Sequence, residues 1–156
     1  MTPRETAARL RDAVERAMPR LQVIDDEAAS RPRAEGDWSP KQVIGHLVDS
    51  ASNNHQRFVR AQFTDDLVFP PYDGDRWVEL QRYADAEWRE LVTLWRGFNL
   101  HLARVIELVP DDVASKARAR HNLDQIPFRP VPPEATLAFF MNDYVDHLEH
   151  HLGQIP

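Results

Sequence analysis

Three histidines stand close together near the end of the chain, in the order His147-Leu148-Glu149-His150-His151. Successive residues of an α-helix turn by about 100°, so His147 and His151 lie only about 40° apart, one turn above the other. Side chains at i and i+4 meet within about 5–6 Å at Cβ, which lets two imidazoles reach a single ion. Thr136 and Phe140 fall on the same line, so this face points inward beside the apolar stripe through Leu148. His150 projects near Asp143 and Asp146 instead, toward water. By itself an HxxxH pair is weak, because hydrogen-bonded and surface pairs share the spacing. A metal site needs a third ligand from elsewhere.

Two histidines earlier in the chain could supply it. His46 is followed at roughly one-turn intervals by Ser50, Asn53 and Arg57, a polar stripe along a segment that is otherwise apolar. Burying such a stripe is costly unless its groups find partners. His55 lies on the opposite side, in line with Ile44, Val48, Ala51 and Phe58, where it reads as a core-edge histidine. Of the two, His46 is the better ligand. His101 has no partner at metal spacing and His121 lies in an irregular stretch, so both read as structural or exposed.

These side chains must be positioned by helices. Thr2-Pro3-Arg4-Glu5 is a capping box with Pro at the first helical position, and Ala7, Leu10, Val14, Met18 and Leu21 follow at helical spacing. Pro19 is expected to bend or end that helix. Residues 28–36 are polar and read as loop. Ser39-Pro40-Lys41-Gln42 opens a second helix that runs to about Phe63, with Gly45 tolerated inside it. A third is expected from about Asp85 to Val109, on the stripe Trp88, Leu91, Val92, Trp95, Phe98, Leu102, Val105, Ile106 and Val109. Residues 111–133 hold four prolines and no clean period, and read as an irregular connection with room for a short extended pair. The fourth helix is expected from about Pro133 to Gly153, with Leu137, Met141, Tyr144, Leu148, Leu152 and Ile155 toward the core. Strand patterns are nearly missing. Four long amphipathic helices joined by two long connections predict an all-α four-helix bundle, one domain over residues 1–156.

Composition narrows the chemistry. The 156 residues include seven histidines and no cysteine, which excludes a thiolate metal site, an iron–sulfur cluster and a cysteine nucleophile. A formal net charge of -6 argues against a nucleic-acid partner. The N-terminal segment has no apolar targeting region and the longest apolar run, Leu137 to Met141, is too short to span a bilayer, so a cytoplasmic protein without membrane partners is expected. HExxH, paired Glu-x-x-His, G-x-S-x-G, the P-loop and G-x-G-x-x-G are all absent.

Three blocks in order carry a family resemblance over roughly Gly36 to Ile155. They are Asp37-Trp38-Ser39-Pro40-Lys41-Gln42-Val43-Ile44-Gly45-His46-Leu47-Val48-Asp49-Ser50 with Asn53 and Arg57-Phe58; Thr64-Asp65-Asp66 followed by Pro71-Tyr72-Asp73 and Trp77; and Tyr144-Val145-Asp146-His147-Leu148-Glu149-His150-His151-Leu152-Gly153-Gln154-Ile155. Together they resemble the DinB-like superfamily and, within it, the YfiT-type metal-dependent hydrolases. The resemblance implies a four-helix bundle with long crossovers and a three-histidine site for one divalent metal. Carried over by position, the ligands are His46, His147 and His151. It also implies nickel or zinc as the ion, a homodimer, and in some relatives a thiol S-transferase activity with a low-molecular-weight thiol of the bacillithiol or mycothiol type. The chain ends at Pro156, directly after the third block, so elements that the family carries beyond this point are expected to be missing.

Three neutral imidazoles leave a divalent ion its full charge and an open position, the pattern of catalytic zinc. Such an ion lowers the pKa of bound water to roughly 7 and deprotonates a coordinated thiol, so one site could serve hydrolysis or thiol transfer on a small-molecule substrate. Without cysteine in the chain, any thiol must arrive as a co-substrate. Asp49, Asn53, Arg57 and Asp143 are candidates for orienting ligands or binding a polar substrate end, and Arg57 could hold a carboxylate. Tyr72 and Trp77 could line the mouth. Asn53, Arg57 and Tyr72 are the candidate catalytic residues, although polar satisfaction inside a bundle explains them equally well. Two other classes compete with an enzyme: a non-catalytic stress-response or binding module with a structural metal, and a metal-free partner-binding scaffold.

Overall fold

Thr2 and Ser39 begin two of the long helices as their sequences predict. Thr2 Oγ1 accepts from Glu5 N–H at 3.2 Å while the Glu5 carboxylate accepts from Thr2 N–H at 2.7 Å. Ser39 and Gln42 exchange the same pair of bonds, at 2.9 and 3.4 Å. In the computed structural model, which describes residues 1–132 and 135–156, the helices are α1 (Pro3–Val23), α2 (Asp26–Ala29), α3 (Pro40–Arg60), α4 (Gly74–Leu80), α5 (Trp88–Glu107), α6 (Asp111–Ser115) and α7 (Leu137–Leu152). Short 3₁₀ turns cover Tyr83–Asp85 and Leu123–Gln125.

α1 continues past Pro19 to Val23, so of the two expected effects Pro19 does not end the helix. Pro19 cannot donate to the Glu15 carbonyl, but both residues are exposed, so water can replace the missing bond. Leu21, just beyond, is fully buried and holds the last turn in place. Arg20 adds to this by donating to the carbonyls of Ile155 (3.2 Å) and Leu152 (3.4 Å) at the end of α7. α5 starts at Trp88 rather than Asp85, because the Glu87 carboxylate caps it by accepting from Glu90 N–H at 2.9 Å. α7 begins behind the cap of Thr136, whose hydroxyl accepts from Phe139 N–H at 3.1 Å. The predicted start at Pro133 lies outside the described residues.

α2 runs into the polar stretch 28–36, α4 lies between the second and third predicted helices, and α6 falls in the connection read as irregular. α2 and α4 are capped by Asp25 and Asp73, which accept from Ala28 N–H (2.7 Å) and Arg76 N–H (3.1 Å). Such caps are legible signals, but four to seven residues are too few to display a helical period.

α1 packs along α5, α5 along α3, α3 along α7, and α7 back along α1. This closes a four-helix bundle in which α1 and α3 occupy opposite corners, so the chain crosses over between them; the same holds for α5 and α7. The seam is stapled by Asp26, which accepts from Lys41 Nζ at 3.0 Å and from Trp88 N–H at 3.0 Å. The Trp88 indole donates to Leu21 O at 3.0 Å, joining α5 to α1. Leu10, Ile44, Leu47, Phe58, Trp95, Leu102, Ile106, Leu137 and Met141 form the buried centre.

The two long connections meet over the α3–α7 groove. Leu67 N–H donates to Arg120 O (3.0 Å) and Asn122 N–H to Leu67 O (3.2 Å), while the Asn122 amide pairs with both backbone groups of Phe69. Isolated bridges, Leu67 with His121 and Arg118 with Ala135, are the only strand-like pairings among the described residues. Asp143 on α7 pins the second connection by accepting from Phe128 N–H and Arg129 N–H, both at 2.7 Å. Among the described residues no helix is long and apolar enough to cross a membrane.

Candidate metal centre

α3 contributes His46 and α7 contributes His147 and His151, and helix packing brings the three side chains together. One ring nitrogen from each lies within 4.8 Å of the other two. His46 Nε2 and His147 Nε2 are 3.2 Å apart. The ring centroids stand 4.5–5.1 Å apart with the planes steeply inclined, so the rings present edges rather than faces to one another. His46 is buried, and the other two are half-buried.

Burial also sets their protonation. Desolvation, and then the neighbouring His151, push His46 down to about 4. Desolvation followed by the surrounding histidines pushes His147 down to about 3. His151 is lowered by burial as well, partly opposed by its hydrogen bond to Gln154. All three are neutral imidazoles near pH 7, with lone pairs available. Gln154 Oε1, which can only accept, lies 2.8 Å from His151 Nδ1 and keeps the proton there, so Nε2 is the free donor atom.

These residues fit a divalent ion. Two imidazole nitrogens at 2.0–2.1 Å from a shared tetrahedral ion stand about 3.3 Å apart, close to the 3.2 Å found between His46 and His147. Neutral nitrogen donors suit zinc, nickel, copper or iron without selecting among them. Trp38 packs against His46 with centroids 4.9 Å apart and reaches His151 at 6.3 Å. On the outer edge, a Cβ placed on Gly74 would be 3.3 Å from His46 Nδ1, so the start of α4 rests directly on this ring.

The trio stands between two openings. A pocket of about 120 Å³ is lined by His147, Ser50, Asn54, Arg57, Tyr72 and Asp143, with apolar side chains behind them. A wider groove of about 460 Å³ runs past His151, Gln154 and Trp38, bordered by Arg33, Asp37 and Asp75.

The predicted site residues divide. Arg57 and Tyr72 face the narrow pocket, with the guanidinium carbon 5.6 Å from the Tyr72 ring centroid. Asn53 does not: its amide donates back to Asp49 O at 2.9 Å and the residue lines a separate surface groove. Asn54, the next residue, lines the pocket instead, although at i+8 it projects about 80° from His46 and Asn53 only about 20°. Asp49 turns away as well, its Oδ1 accepting from the Tyr83 hydroxyl (2.7 Å) and Gln81 (2.8 Å). Asp143 lines the pocket with both oxygens already bonded. Trp77 packs on Tyr72, centroids 5.1 Å apart, outside the pocket lining.

Residue patterns did not single out Trp38, Asn54 or Gln154. None of the three carried a usable spacing signal, since Asn54 projects farther from His46 than its neighbour Asn53 does. Three of the other four histidines have ordinary surroundings, while His121 in the second connection keeps a buried Nδ1 without a hydrogen-bond partner among the described residues. His55 packs edge-on against Phe98 and His101, His101 and His150 are exposed, and His150 stacks on Phe128.

Comparison with known proteins relates nearly the whole chain to one helical family. The DinB superfamily profile matches residues 9–155. YfiT of Bacillus subtilis, named as a candidate metal-dependent hydrolase, is 25% identical over 151 residues, spanning 97% of this chain and 76% of the relative. Similarly named proteins of Oceanobacillus iheyensis and Bacillus mycoides are 25% identical over 132 residues and 27% over 135, covering 85% and 86% of this chain and 70% and 72% of theirs. The solved structure of B. subtilis YfiT, described as a four-helix bundle of unusual topology, superposes with a TM-score of 0.81 at 22% identity, over 98% of this chain and 83% of that one.

Proposed function

The chain belongs to the DinB superfamily, and from that premise we propose that it is a metal-dependent enzyme in which His46, His147 and His151 hold one zinc or nickel ion. The observation that carries the proposal is the convergence of three neutral imidazoles within 4.8 Å, with no carboxylate among them. A divalent ion held in this way keeps its charge and an open position, and would supply water activated near neutral pH.

The chain's own residues do the rest. Gln154 holds the His151 proton at Nδ1. Trp38 and the start of α4 cover His46 and limit the approach of water from that side. Burial keeps the Tyr72 hydroxyl protonated above its ordinary range, so at neutral pH it serves as a donor into the narrow pocket. Ser50 and Asn54 add polar groups along the same wall.

Hydrolysis is the leading reading, in line with the names of the relatives. Transfer to a low-molecular-weight thiol is the second, favoured by the wider groove beside His151, which leaves room for a co-substrate larger than water. We expect protein purified without a histidine tag to carry close to one Zn or Ni per chain, and His46→Ala or His151→Ala to remove it. Metal-free protein of unchanged stability would sink the proposal. In cobalt-substituted protein, a spectral change on adding a thiol supports transfer, and silence leaves hydrolysis. Homodimerisation is part of the same reading and is checked by sedimentation equilibrium.

A further inference from the structure

We propose that Arg57 anchors a carboxylate of the substrate, and that the protein therefore acts on short carboxylic acids whose reacting bond lies toward the three histidines. The word substrate rests on the enzymatic reading above; the anchor itself rests on α3 and the pocket.

Arg57 is only 5% exposed. A guanidinium stays charged at any ordinary pH, and a buried charge without a counterion is costly. Yet among the described residues Arg57 forms no ion pair. Its partners are neutral: Pro70 O at 2.9 Å and Asn54 Oδ1 at 3.4 Å. Those bonds use two of five N–H donors and, together with the Tyr72 ring on one side, hold the planar fork still. The nearest acidic wall of the pocket is Asp143, whose two oxygens are occupied by the Phe128 and Arg129 amides. The demand for an anion is built in and left open.

The direction suits a substrate. Long side chains on a helix lean toward its N-terminus, and Arg57 reaches back to Asn54, which bonds Ser50 O at 2.9 Å. Ser50 stands one turn from His46. Asn54 and His46 are separated by about 12 Å along the helix axis, so an acid bound at the guanidinium extends through the pocket toward His147. The volume of about 120 Å³ limits it to a short chain. A single cation in the lining, facing Asp143 and the rings of Phe140 and Tyr144, fits a planar monoanion better than a phosphate dianion.

The test uses the full chain, metal-loaded and EDTA-stripped, titrated with butyrate, butyramide and inorganic phosphate by calorimetry for wild type and variants, with the Arg57 Nε–Hε resonance of the wild type followed by NMR to locate the bound acid. We expect saturable butyrate binding to the stripped protein, butyramide weaker by about tenfold or more, and phosphate no tighter than butyrate. Arg57→Gln abolishes the preference for acid over amide, and Arg57→Lys keeps the charge but loses about tenfold in affinity with the fork. No saturable butyrate binding, equal binding of acid and amide, a wild-type preference in Arg57→Gln, or tighter phosphate would each overturn the anchor. The wild-type comparison stands even if a variant fails to fold. Metal content is measured on the loaded sample. Metal-free protein that still prefers the acid keeps the anchor and loses the metal reading, whereas one metal per chain without acid preference does the reverse.

Discussion

Three imidazoles can serve as ligands only if each keeps a lone pair and points it at a common centre. Burial supplies the first condition by disfavouring the charged ring, most strongly at His147. Orientation is supplied ring by ring. His46 is clamped between Trp38 and the backbone at Gly74, while His151 is held by Gln154. Removing such a supporting hydrogen bond typically costs 10–100-fold in metal affinity. We therefore expect Gln154→Leu to bind Zn about 10–100-fold more weakly in a chelator competition, with the fold intact by circular dichroism. Unchanged affinity would mean that packing alone orients His151. The polar stripe on α3 was legible because four polar types recur along one apolar helix, but its third member was misplaced. Asn53 and Asn54 are adjacent and chemically identical, and only the way α3 rolls against its neighbours decides which enters the pocket.

Elements place these rings by close approach at a few points. Gly45 lies one residue before His46, and a Cβ there would fall 2.2 Å from the Tyr83 ring. Tyr83 is itself tied to Asp49 on the same helix, so it cannot move aside cheaply. Gly97, midway along α5, is exposed and has nothing within 4 Å of its Cβ position. The same substitution therefore has opposite signs. Gly45→Ala is expected to destabilise by about 1–3 kcal/mol through overpacking, and Gly97→Ala to stabilise by about 0.5–1 kcal/mol through helix propensity. Urea unfolding of both variants checks the pair; a harmless Gly45→Ala would show that Tyr83 does not fix the approach of the 3₁₀ turn to α3. Capping boxes announced α1 and α3 to the residue because they are local hydrogen bonds written in consecutive side chains. Pro19 was ambiguous for the complementary reason: its cost depends on whether the orphaned Glu15 carbonyl can reach water, which is a tertiary fact.

At the scale of the molecule, the metal would join α3 to α7, two elements about a hundred positions apart in the chain, and so add to the stability of the folded state alone. At free metal near 100 times its dissociation constant the gain is about 2.7 kcal/mol, or roughly 5–10 °C in Tm for a chain of this size. EDTA should lower Tm by that amount in the native protein and leave His147→Ala unmoved. Equal chelator effects on both would place the stabilising ion elsewhere.

Helix-period apolar stripes and caps determined an all-α bundle, and the absence of cysteine made imidazole the candidate ligand type, because those signals depend on composition and on spacing within one segment. The i,i+4 pair on α7 was local too. What tertiary structure alone decided is non-local: that α3 lies against α7 with His46 at the height of His147, that α4 roofs the site, and that Arg57 is buried with no ion-pair partner among the described residues while the pocket's Asp143 is taken up by backbone amides. Each depends on helix rotation and on how two crossovers close over a groove, and these are settled by the packing of the whole core.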